Sequence, residues 1–173
     1  MKKYVALSVL ILTSVGVVFN HVGLERVDNS YLLNVDGLRW DTVGALREKI
    51  NSWTRQCDRV TRLTDESAMP PLLLAALREH SPPDSRQMKI RQLYAMAPWY
   101  VAEASFETLE PAVIVLRQSQ NQFQIQDDAL WSGSVGPWLP GPWIRRYLQN
   151  RAPDAPSDLG ACYDPTPGLF RPQ

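Results

Sequence analysis

Sixteen residues near the start of the chain, Tyr4 to Phe19, are apolar except for Ser8, Thr13, Ser14 and Gly16, and Lys2 and Lys3 precede them. A core helix of a globular domain carries a polar face, and this run shows none. Serine and threonine hydroxyls bond back to a helical backbone, so they do not oppose insertion into a bilayer. Extending the run to Leu24 gives a helix of roughly 31 Å, the thickness of a hydrocarbon core. Met1 to Leu24 therefore reads as an uncleaved signal-anchor. Lys2 and Lys3 stay in the cytoplasm, and the rest of the chain faces the periplasm of a bacterial inner membrane. The competing reading is a cleaved signal peptide that leaves a soluble periplasmic or secreted protein, with Ser14 and Gly16 supplying the small residues that a cut requires.

The remainder divides into a polar connector over 25–40 and an exported domain over 41–173, large enough to bury its own core. The formal net charge is zero, and two of the positive charges are Lys2 and Lys3. A domain of that balance lacks the basic face that nucleic acid demands. The two cysteines, Cys57 and Cys162, are disulfide candidates in an oxidising compartment.

Asp36-Gly37 is a turn signal, and Asp41 suits the N-cap of a long helix over 41–63. Val43, Leu46, Ile50, Trp53, Cys57 and Val60 recur at spacings of 3 and 4, a heptad seam. The seam either packs on the domain's own sheet or zips against a second copy as a homodimer. Pro70-Pro71 opens a second helix, apolar all round from Leu72 to Leu77. Asp84 to Gln87 has capping-box form and begins a third, with Ile90, Leu93, Tyr94 and Ala97 on one face; the two make an αα-hairpin. Beyond Pro98 the period changes. Trp99–Phe106, Ala112–Arg117 and the alternating Phe123 and Ile125 predict three antiparallel strands, with a polar tip over Ser119–Gln122. Eight of the fourteen prolines follow Val135, and Pro142 suits the start of a short helix through Arg151. The expected fold class is α+β: an N-terminal membrane helix, about three helices, a three-stranded antiparallel sheet and a C-terminal helix.

The candidate chemistry is sparse. His21 and His80 belong to no metal-ligand spacing, and no nucleophile, phosphate-loop or dinucleotide pattern is present. The expectation is a protein with no catalytic residues, no metal and no cofactor. Asp127 and Asp128 close a strand, but neighbours on an extended chain point to opposite faces. Glu103, Glu107 and Glu110 are further acids near that end of the sheet. Trp131, Trp138 and Trp143, set among Pro and Gly beside Arg145 and Arg146, make stiff aromatic platforms of the composition found at interfaces. The reading is a membrane-anchored, periplasm-facing binding protein, an accessory or assembly subunit of a secretion- or conjugation-type envelope complex whose partner is another envelope protein. The alternatives are a periplasmic immunity or inhibitor protein that occludes a toxin or hydrolase, and an envelope hydrolase using Asp127 and Asp128.

Overall fold

A strand in which every residue is buried has to be covered on both faces, and Trp99–Ser105 is such a strand. It is the middle of a five-stranded antiparallel sheet. In the computed structural model, which describes residues 21–27, 30–81 and 87–170, the strands are β1 (Val22–Val27), β2 (Ser30–Val35), β3 (Leu38–Trp40), β4 (Thr61–Leu63), β5 (Lys89–Met96), β6 (Trp99–Ser105), β7 (Ala112–Ser119) and β8 (Gln122–Ser132). The helices among the described residues are α1 (Thr42–Thr54), α2 (Pro71–His80), α3 (Pro140–Arg151) and α4 (Ser157–Cys162), with one turn of 3-10 helix at Glu66–Ala68. The chain divides into two compact units at Ile50–Asn51.

The first unit holds a separate antiparallel sheet in the order β1-β2-β3. Its second hairpin turns on Asp36 and Gly37, both at positive φ (51° and 86°), the backbone that a two-residue turn between right-twisted strands requires. Arg39 on β3 makes a two-pronged pair with Glu25 on β1. Leu32 is fully buried, whereas Leu24, Tyr31, Leu38 and Trp40 are exposed. Asp41 caps α1, its Oδ1 accepting from Gly44 N at 2.7 Å. A Cβ at Gly44 would fall 2.1 Å from Asp41 Oδ2, so the cap needs the glycine.

The second unit is three layers deep, with its sheet in the order β4-β5-β6-β7-β8. Tyr100, Ala102, Ile114 and Leu116 share one core with Met69, Leu73 and Leu77 at α2. Val101, Val113 and Val115 share the other with Ile144 and Leu148 of α3, Leu159 of α4, and Tyr163 and Phe170 of the tail. Strands β7 and β8 meet through Gln120 and Asn121, both at positive φ. Cys57 and Cys162 form a disulfide that ties the segment after α1 to the end of α4.

The expected architecture is corrected in four places. The connector over 25–40 is not a linker in structure: it folds as most of the three-stranded sheet. The heptad helix ends at Thr54; Cys57 and Val60 lie beyond it, where Val60 N closes a tight turn onto Cys57 O. The helix expected through Met96 is strand β5 from Lys89 onward, so there is no αα-hairpin; its expected start, Asp84 to Arg86, lies outside the described residues. Finally, the three predicted strands are present as β6, β7 and β8, but β4 and β5 extend their sheet to five. The misreading of β5 has a definite cause. A bulge at Arg91 breaks the register between Ile90 and Gln92. Ile90 and Leu93 consequently share a face at a spacing of three, which on paper is the spacing of a helix.

Of the leader, Met1–Asn20 lies outside the described residues; Val22 to Leu24, taken with it in sequence, belong to β1. Among the described residues no helix is long and apolar enough to cross a membrane.

Cys57 and Cys162 are 105 residues apart, so their bond removes about 4–5 kcal/mol of loop entropy from the unfolded chain. Denaturant unfolding with and without reductant measures this. Reduction, or Cys57→Ser with Cys162→Ser, should lower the unfolding free energy by about that amount.

Candidate functional site

The predicted aromatic residues divide between surface and interior. Helix α3 turns Ile144, Arg145 and Leu148 inward and sets Trp143 and Arg146 on its exposed side. Trp143 is 46% exposed, and the Arg146 guanidinium lies 5.9 Å from the centre of its ring. One turn on, Arg151 stands 5.7 Å from the ring of Tyr147. Trp131 is half-buried on β8, meeting the Tyr147 ring edge-on at 5.1 Å. The Tyr147 hydroxyl donates to Leu130 O at 2.8 Å, which fixes that pair to the sheet. Trp138 is half-buried in the loop before α3. Arg145 is buried, its Nη1 donating to Tyr163 O at 2.9 Å. The outer face of α3 thus presents Trp143, Arg146, Tyr147 and Arg151, while Arg145 works inside the fold.

The acids do not converge. Asp127 and Asp128 are exposed on β8, where the register against β7 shifts. Asp127 Oδ1 lies 3.1 Å from Nε2 of His80 at the end of α2. Glu107 and Glu110 are exposed in the β6–β7 connection. Among the described residues no group of three or more His, Cys, Asp and Glu side chains is arranged to hold a metal ion. The apolar recess between the sheet and α3–α4, lined by Val101, Val115, Leu148 and Ala152, contains no titratable side chain.

Glu103 is different. It is fully buried on β6, and its Oε2 accepts from Gln92 Nε2 at 2.9 Å, Tyr163 Oη at 2.6 Å and Thr166 N at 3.1 Å. The Arg91 bulge makes this contact, because it rotates Gln92 onto the face where Glu103 is its cross-strand partner. Gln92 Nε2 also donates to Asp164 O at 2.7 Å, and Gln92 Oε1 accepts from Arg62 Nε at 3.0 Å. Tyr94 Oη donates to Asp164 O at 3.0 Å and accepts from Asp164 N at 3.2 Å. The Arg62 guanidinium stands 5.6 Å from the Tyr94 ring. A buried carboxylate with three donors is satisfied. Its role is to fasten residues 163–166 to the sheet. In the sequence Glu103 stands as one acid among several. The available signal was an acid in the middle of Trp99–Ser105, a run otherwise made of small and apolar residues.

Burial pushes the Tyr163 hydroxyl well above the ordinary phenol range, and the neighbouring Glu103 charge pushes it in the same direction. Burial also raises Tyr94, with the Asp164 and Arg62 contacts partly opposing.

Comparison with protein-family models, with curated proteins and with solved structures finds no match to this chain.

Two outcomes follow from the network. Glu103→Ala leaves the buried Tyr163 Oη without its acceptor and takes one acceptor from Gln92 Nε2, which keeps Asp164 O, and one from the half-buried Thr166 amide. Chemical denaturation should show a loss of about 3–5 kcal/mol. The second concerns alkali. Both tyrosines have folded-state values raised above the unfolded value of about 10, so the folded state holds protons that the unfolded state releases. Their contribution is fully present below pH ~10 and is lost as the pH rises above it. Unfolding free energy measured against pH should therefore fall on the alkaline side. Tyrosinate absorbance of these two rings should appear together with unfolding, not before it.

Proposed function

We propose that this chain is a membrane-tethered, periplasm-facing binding protein, an accessory or assembly subunit of an envelope complex, and that the outer face of α3 meets its partner. The observation that carries the reading is Trp143. A tryptophan left nearly half exposed beside Arg146 belongs to the residue pair most enriched at binding hot spots. The inner side of the same helix is locked by Ile144, Arg145 and Leu148, so the ring is presented on a rigid support. Little conformational freedom is then lost on association. Lys2, Lys3 and the apolar run Tyr4–Phe19 supply the tether in this reading.

A photo-crosslinking amino acid at position 143, in the full chain expressed in a bacterial envelope, tests the proposal. The expected result is one discrete cross-linked protein that is absent when the probe replaces exposed Gln124 on β8 and is lost with Arg146→Glu. Equal labelling from both positions, or none from position 143, would remove α3 as the contact.

A further inference from the structure

The register of the three-stranded sheet sorts its side chains onto two faces. Leu24, Leu33 and Trp40 lie abreast across β1, β2 and β3, as do Val22, Val35 and Leu38, and Arg26 lies beside Tyr31. Successive rows are two residues apart, so all of them stand on one face. The opposite face carries Glu25, Asn34 and Arg39 around buried Leu32. The apolar face is nevertheless the open one: Leu24, Leu38, Trp40 and Tyr31 are exposed to 68%, 64%, 50% and 43%. A sheet gains its stability by covering such a face with a second layer. At those exposures the four side chains offer on the order of 500 Å² per copy, so two stacked faces with their borders remove about 1,000 Å² or more, the size at which specific interfaces begin.

The face is also complementary to itself, which is what a two-fold contact requires. An axis parallel to the strands and passing through Leu33, on the middle strand, lays β1 of one copy over β3 of the other. Leu24 then meets Trp40, Val22 meets Leu38, and Leu33 meets its own counterpart. Arg26, exposed and the only charge on this face, falls at the corner beyond Trp40 where β3 ends. There it lies within reach of the Tyr31 and Trp40 rings of the other copy, a cation–π setting. The two Arg26 positions are about 14 Å apart in this arrangement, for strands ~4.8 Å and sheets ~10 Å apart, which exceeds the screening length of physiological salt.

We propose that this face binds a second copy of the chain, the two sheets stacking as a small sandwich. The inference does not rest on what meets Trp143. A photo-crosslinking amino acid at position 38, in the full chain expressed in a bacterial envelope, tests it. The expected product is a covalent dimer of twice the chain's mass, in which position 38 is joined to β1 (Val22–Val27) of the other copy. The same probe at position 39, on the opposite face of the same strand, should give no dimer. Leu24→Asp changes a side chain that is exposed in the single copy, so the monomer tolerates it. In the dimer it sets a carboxylate against Trp40, and the yield from position 38 should fall about tenfold or more. The proposal is overturned by equal dimer yields from positions 38 and 39, or by an undiminished yield in Leu24→Asp. It is equally overturned if position 38 labels only lipid, a protein of another mass, or nothing, since the face is then covered by something else or left open.

Discussion

The carboxylate of Glu103 is the constraint around which the second unit is arranged. It sits at the centre of the sheet's middle strand, with hydrophobic layers on either side, where an unmet acceptor would cost more than most single contacts return. The donors come from places that would otherwise have no reason to meet. Gln92 reaches it because β5 carries a bulge, and Tyr163 and Thr166 reach it because the chain returns to the sheet some sixty residues later. Arg62 completes the set from β4, through Gln92. The irregular tail and the short edge strand thus take their positions from one buried group.

Two fastenings of different chemistry hold that tail. The disulfide fixes Cys162, and hydrogen bonds fix Tyr163, Asp164 and Thr166 beyond it. Arg145 joins α3 to the same stretch through the Tyr163 carbonyl. The helix that carries Trp143 outward is therefore anchored inward to this doubly fastened tail.

Local signals in the sequence were good guides, and long-range ones were not. Asp36-Gly37 marks a turn by backbone chemistry alone, and Asp41 and Pro71 mark helix starts in the same way. The small and apolar runs of β6 and β7 survive in the fold because strands buried on both faces need them. The strand β4 is three residues long and has no pattern to read. Strand β5 was hidden by its bulge, which converts a two-residue period into a three-residue spacing. The three strands before α1 expose many of their apolar side chains, so alternation there does not separate inside from outside. On the aromatic surface, the residue types were legible, but adjacent positions in a helix point apart: Arg145 turned inward and Arg146 outward. Glu103 could not be recognised as a centre, because its meaning lies in partners that only folding brings near.

The disulfide also decides how the chain carries tension. Cys57 and Cys162 close a covalent ring around the whole five-stranded sheet and its helices. A pull applied between the two ends of the chain enters at Cys57, crosses the bond and leaves at Cys162. The load path misses every strand in the ring. Stretched by its ends, the oxidised chain can lengthen only outside that ring, so the strands stay paired under forces that would unzip the same sheet in the reduced chain.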